Sequence, residues 1–263
     1  MVKELENKVA LVTGASRGIG RAISVALAHE GAQLILTGRD LTALNETARL
    51  ITDLKRGPAP HVSQMDILNS TEIQRCINSA LEIFGHIDIL VNNSGITGKS
   101  ARLWELTEAE WDECIDTNLK ASFLVSKAVI PSMLVRKSGS IIFIGSITGK
   151  RPLIDRSVYA ASKLGMVGMM RTLALELGRH NIRVNLVSPG FVEGPRLDGV
   201  IATVANRERV LPQEMSAKWQ EMVPTGKFIS PENIAQGVLF FASERSGGTT
   251  GEDLNISGGL VMY

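Results

Sequence analysis

The chain of 263 residues is 44% hydrophobic and 21% charged, with a formal net charge of +1; that is room for one large α/β domain with a sizeable core. Near-neutrality without a long run of like charge points away from nucleic acid and anionic membranes, and no apolar run reaches the length of a membrane span. Cys76 and Cys114 are too few for a disulfide framework, and His29, His61, His86 and His180 lack ligand spacing, so a reducing, cytoplasmic setting and no metal site are expected.

The first residues, Met1-Val-Lys-Glu-Leu-Glu-Asn-Lys8, alternate in charge and lack the apolar core of a signal peptide. Residues 8–13 read as a short apolar strand that runs into Thr13-Gly-Ala-Ser-Arg-Gly-Ile-Gly20, and residues 22–30 show helical spacing that stops at Gly31. Strand, glycine loop and helix form the arrangement in which helix N-terminal amides hold a pyrophosphate. Gly14 permits the turn, Gly18 and Gly20 allow close approach, and Ser16, Arg17 and Ile19 complete the loop. The second strand, 33–37, ends at Thr37-Gly38-Arg39. A carboxylate there would bond ribose hydroxyls and repel a 2′-phosphate, whereas Gly38 removes it and Arg39 with Arg17 can clamp a phosphate. This favours NADP(H) over NAD(H), with NAD(H) the alternative if Asp40 reaches the ribose.

Further along, 41–55 reads as an amphipathic helix, 61–65 as a third strand ending at Asp66-Ile67, and 71–84 as a helix closed by Gly85. A fourth strand, 87–91, leads into Asn92-Asn-Ser-Gly95. A long helical stretch, 110–136, carries Asn118 and is expected to break at Pro131. The fifth strand, 140–145, delivers Ser146, and a helix over 157–179 carries Tyr159 and Lys163. A sixth strand, 182–187, precedes Ser188-Pro189-Gly190-Phe191-Val192, Pro231 opens a helix to 242, and 251–256 gives a last strand. This alternation predicts parallel βαβ units in one domain spanning 1–263.

In a helix, Tyr159 and Lys163 lie four apart on one face, so hydroxyl and ammonium can meet in a cleft. A phenol with a reference pKa near 10 needs roughly 4 kcal/mol of selective help to reach about 7. A lysine about 5 Å away at an effective dielectric of about 20 supplies roughly 3 kcal/mol. A second cation would close the gap, and an oxidised nicotinamide is one.

The ordered set of the glycine loop, Asp66, Asn92-Asn-Ser-Gly95, Asn118, Ser146 thirteen residues before Tyr159, Lys163 and Pro189-Gly190 resembles the short-chain dehydrogenase/reductase family. The resemblance implies a Rossmann-like, doubly wound sheet of about seven parallel strands with helices on both faces. It implies hydride transfer between nicotinamide and a carbonyl or alcohol carbon, with Tyr159 as general acid/base, Ser146 holding the substrate oxygen, Lys163 bonding the nicotinamide ribose and Asn118 supporting a water relay. It further places Asp66 and Ile67 at the adenine, Asn92 and Gly95 at the adenosine-side ribose region, and Pro189, Gly190 and Val192 at the nicotinamide end. The chain departs from the family where Phe191-Val-Glu-Gly194-Pro195 lacks the usual threonine, where Ser94 replaces alanine, and where the late Asp-Gly-Gly becomes Ser257-Gly-Gly259.

The same resemblance puts a substrate lid at about 191–225, where one of Arg196, Arg207 or Arg209 is a candidate to pair an anionic group. Ile147, Thr148 and Leu153 are expected to line the pocket, Leu260-Val-Met-Tyr263 fits a buried terminus, and a homotetramer is expected. The leading expectation is an NADP(H)-preferring oxidoreductase of a small secondary alcohol or ketone. Alternatives are a 3-oxoacyl-thioester reductase, an NAD(H)-dependent polyol or sugar dehydrogenase, and a nucleotide-binding scaffold without turnover.

Overall fold

In a computed structural model that describes residues 3–263, seven strands form one sheet in the order β3-β2-β1-β4-β5-β6-β7, parallel throughout. The strands are β1 (Val9–Thr13), β2 (Gln33–Gly38), β3 (His61–Gln64), β4 (Ile89–Asn92), β5 (Gly139–Ile144), β6 (Ile182–Pro189) and β7 (Asp253–Ile256). The order reverses between β1 and β4, which leaves a crevice at their carboxyl ends. Central strands are apolar on both sides because helices cover both faces. In β1, Ala10 and Val12 face one layer while Val9 and Leu11 face the other.

The first layer is made by α1 (Gly18–His29), α2 (Leu41–Asp53) and α9 (Pro231–Ala242), through Ile23, Leu27, Leu44, Ile51, Ile234 and Phe241. The second is made by α3 (Ser70–Phe84), α5 (Ala121–Arg136) and α6 (Ser157–Leu177), through Ile73, Ile77, Val125, Met133, Met166 and Met170. α4 (Glu108–Ile115) leads into α5. A third, smaller cluster holds α7 (Pro195–Glu208) and α8 (Pro212–Glu221) against Phe191 and Phe228, with Trp219 stacked on Phe191 at 4.7 Å between ring centroids.

One expectation is corrected. The long helix is not broken at Pro131, which lies inside α5. Pro131 and Lys127, whose carbonyl it leaves unpaired, both sit on the exposed side, where water can take that acceptor. The irregularity falls earlier, as a π-turn over Asp116–Lys120 that joins α4 to α5 and contains Asn118. At the carboxyl terminus, Val261 is buried but Met262 and Tyr263 are 79% and 77% exposed.

Candidate active site

α1 begins inside the glycine loop, at Gly18. Gly14 and Gly18 have φ of +63° and +54°, the left-handed region that glycine enters without strain. A Cβ on Gly20 would overlap the Gly14 carbonyl oxygen and the Asn93 amide, whereas one on Gly18 would meet open space. Asn93 Nδ2 donates to the Thr13 and Gly14 carbonyls at 2.8 and 3.1 Å, and Thr13 Oγ1 accepts from the Asn93 and Ser94 amides at 3.0 Å. The end of β4 thus clamps the loop. Arg17, the N-cap, provides no side-chain cap, so the first amides of α1 keep their donors for an anion. These residues fit a dinucleotide pyrophosphate.

At the end of β2, Asp40 is the N-cap of α2, its Oδ1 accepting from the Ala43 amide at 3.0 Å, while Arg17 and Arg39 are exposed. Asp66 accepts from the Leu68 amide at 3.0 Å, and Ile67 packs at the edge of the second layer. Asn92 is turned beneath the sheet, with Nδ2 donating to Ser126 Oγ at 3.0 Å, so its side chain cannot meet a ribose and only its main chain borders the crevice. At the far end, the Gly190 amide donates to the Ile256 carbonyl, a Cβ on Gly190 would crowd Ser257, and Val192 bridges to Ile229.

The π-turn carries Asn118 into the interior. Its Oδ1 accepts from the Ile96 amide at 2.8 Å, and its Nδ2 donates to the Ile96 carbonyl at 3.1 Å and Ser162 Oγ at 2.9 Å. Both amide hydrogens are engaged, and Asn118 fastens the loop after β4 to α6. Ser162 in turn donates to the Tyr159 carbonyl. Lys163 is 5% exposed, and its Nζ donates to the Ile144 carbonyl at 2.8 Å at the end of β5. Gly95 lies beside both: a Cβ there would stand 3.0 Å from Asn118 Oδ1 and 3.5 Å from Lys163 Nζ. Ser146 follows β5 and caps the turn over Ile147–Gly149, with Oγ accepting from the Thr148 amide at 3.1 Å.

Burial, reinforced by the positive Arg196, lowers the Lys163 ammonium to about 7. Its Nζ is 5.8 Å from the Tyr159 ring centroid. A second cation stands nearer: the Arg156 guanidinium lies 4.8 Å from that centroid. Sequence reasoning missed Arg156. The available signal was its position three residues before Tyr159, a helical neighbour on the same face. It also missed Ser162 and the clamp made by Thr13 and Asn93.

Of the three lid arginines weighed from sequence, Arg207 pairs with Asp155, which also stands 3.1 Å from Arg102 Nε. Arg196 Nη2 donates to the Gly95 carbonyl at 2.7 Å, and Arg209 is exposed at the end of α7 with φ +56°.

A family model described as short chain dehydrogenase matches residues 8–204. The 3-oxoacyl-[acyl-carrier-protein] reductases FabG of Thermotoga maritima and Escherichia coli K12 are each 37% identical to this chain; 98% of the chain is covered in both, with 99% and 98% of those proteins. Among solved structures, a single-residue variant of actinorhodin polyketide ketoreductase with NADPH aligns at TM-score 0.93 and 33% identity, covering 100% of both chains. An NAD+-bound xylitol dehydrogenase aligns at 0.90 and 27%, covering 98% of this chain and 100% of that one. The ordered motifs, the seven-stranded parallel sheet and these matches agree: the chain belongs to the short-chain dehydrogenase family and is an oxidoreductase of that family.

Proposed function

We propose that the protein transfers hydride between a nicotinamide dinucleotide, with NADP(H) preferred, and the carbonyl or alcohol carbon of a small substrate. The observation that carries this reading is the meeting of Asn118, Tyr159 and Lys163 beside the glycine loop, where β1, β4 and β5 end. When bound, the dinucleotide supplies or accepts the hydride. Gly14, Gly18 and the open amides of α1 would hold its pyrophosphate, Arg17 and Arg39 a 2′-phosphate, Asp66 and Ile67 its adenine, Gly95 and the main chain of Asn92 the adenosine side, and Pro189, Gly190 and Val192 the nicotinamide end. The N-cap role of Asp40 supports the NADP(H) preference, because its carboxylate is already committed to α2.

Tyr159 gives a proton to the substrate oxygen in reduction and takes one in oxidation, so one group serves both directions. Ser146 donates to the oxygen as it gains negative charge. Lys163 Nζ and the Arg156 guanidinium stand 5.8 and 4.8 Å from the Tyr159 ring centroid, beside the group that moves the proton. Asn118 positions Ile96 and the first turns of α6, and with them Tyr159. The helices α7 and α8 cover the substrate and exclude water.

Assay with NADPH and NADH against aliphatic ketones, aryl ketones, polyols and acetoacetyl thioesters tests this. NADPH should give the higher kcat/KM; equal or better turnover with NADH overturns the preference. Tyr159→Phe should lower kcat at least about 100-fold while cofactor binding, followed by fluorescence, stays within about threefold. Near-wild-type turnover removes Tyr159 from the proposed role.

A second reading, reduction of a 3-oxoacyl thioester, is favoured by the full-length identity to the two reductases named above. Acetoacetyl-thioester turnover well above that of a simple ketone would select it.

A further inference from the structure

A buried arginine with nothing to pair it is costly, because a charge removed from water must be repaid by an opposite charge or by hydrogen bonds. Arg156 is 8% exposed, yet among the described residues its guanidinium has neither an ion pair nor a hydrogen bond. The adjacent carboxylate, Asp155, is committed to Arg102 and Arg207. The guanidinium lies against the Tyr159 ring, 4.8 Å from its centroid. The groups that influence it electrostatically are Tyr159, Cys114 and Arg196, with no aspartate or glutamate among them. Arg196 reaches in from the head of α7 to Gly95, and its charge is felt by Arg156 and Lys163 alike. Arg156, Arg196 and the partly charged Lys163 therefore gather around Tyr159 and Gly95, and among the described residues no carboxylate is one of the groups that act on Arg156.

We propose that the substrate carries an anionic group, a carboxylate, sulfonate or phosphonate, close to its reacting carbon, and that Arg156 binds it with help from Arg196. This rests on reading Tyr159 as the proton-transfer group. A planar guanidinium presents a donor fork that matches such an oxyanion. With its carbon 4.8 Å from the centroid of the Tyr159 ring, Arg156 is near enough for an anion that it holds to belong to the same small substrate as an oxygen at the phenol hydroxyl. That geometry fits a short keto acid or hydroxy acid. The reacting end of an acyl thioester is neutral, so the same cations give that substrate nothing to bind.

The test compares charged probes with neutral partners of the same shape: 3-oxobutanoate and 4-oxopentanoate against their methyl esters, and 2-oxopropylphosphonate and 2-oxopropanesulfonate to sort the anions. Each is assayed in wild type, Arg156→Gln and Arg156→Lys with saturating NADPH or NADH. Wild type should prefer an acid over its ester by at least about 30-fold in kcat/KM, the scale of a desolvated, hydrogen-bonded charge pair. In Arg156→Gln that ratio should collapse below about threefold, and Arg156→Lys should recover part of it. An equal fall on acid and ester makes Arg156 a stabiliser of Tyr159 only, and overturns the proposal; so does an unchanged ratio.

Thermal shift with 4-oxopentanoate and with 2-oxopropanesulfonate separates this from the oxidoreductase reading. A shift in wild type that Arg156→Gln loses supports the anion site even without turnover, which would then count against the assigned reaction. No shift with either probe, together with turnover of neutral ketones, overturns the anion site and leaves the reaction intact.

Discussion

The lysine beside Tyr159 is held by the fold without a carboxylate. Lys163 has one hydrogen-bond acceptor of strength, the Ile144 carbonyl, and burial brings its ammonium down to about 7. Near neutrality Lys163 is therefore only partly charged in the cofactor-free protein, and Arg156, which stays charged, is a cation beside Tyr159 in addition to the oxidised nicotinamide that the sequence reading invoked. Stability must also depend on pH. Between about 7 and the ordinary lysine value of 10.5, the unfolded chain binds a proton that the folded chain does not, so stability rises with pH across that window, at most about 1.4 kcal/mol per unit. Below about 7 both forms are protonated and the contribution is flat. Urea unfolding of the cofactor-free protein at pH 7.5 and 9.5 should show wild type gaining about 2 kcal/mol relative to Lys163→Met. Parallel pH dependence in the two proteins would contradict the burial argument.

Among the helices and loops, a locally unremarkable sequence is overruled by what it packs against. Asp155, at φ +64°, ties the loop containing Arg102 to Arg207 on α7. Replacing it by Asn keeps the shape and removes the charge. Asp155→Asn should speed hydrogen exchange across residues 195–208 while leaving β1 and β5 unchanged, and should raise KM more than it lowers kcat. Unaltered exchange in that segment would show that the apolar cluster around Phe191 and Trp219 holds it unaided. Much of this architecture could be read from residue order: apolar runs marked the strands, Gly14 and Gly20 the loop, and the Tyr159/Lys163 spacing the helix face. The π-turn was illegible because nothing in Asp116-Thr-Asn-Leu-Lys120 demands it. It exists because Asn118 finds Ile96 and Ser162, partners far away in sequence. Pro131 was the visible breaker and proved harmless because it faces solvent. Arg156 was missed for a related reason: an arginine before a helix ordinarily reads as solvated, and only the tertiary fold buries it.

Of the apolar groups exposed on the single chain, which also include Leu103, Trp104 and Trp111 around the start of α4, two sets bear on association. One lies on the outer faces of α5 and α6, where Phe123, Leu164 and Leu175 are 46%, 53% and 85% exposed. The other lies at the β7 edge of the sheet, where Leu254 is partly exposed and Met262 and Tyr263 project beyond it. Single exposed apolar side chains are ordinary, but groups on two separate faces are what a dihedral assembly needs, one isologous contact for each two-fold axis. The homotetramer implied by family resemblance is therefore the expected state. Light scattering should give the mass of four chains. The double change Leu164→Glu and Leu175→Glu should leave dimers, removal of residues 262–263 should leave dimers of the other kind, and the combination should leave monomers. A monomeric wild type would show that both surfaces are tolerated exposure. A tetramer insensitive to the helix changes would move that contact elsewhere. Val261 is buried and Ser257 Oγ hydrogen-bonds its main chain, so within the chain the short truncation removes one described hydrogen bond to β7, from Asn255 Nδ2 to the Tyr263 carbonyl, and Asn255→Ala with the full terminus separates that loss from the loss of association.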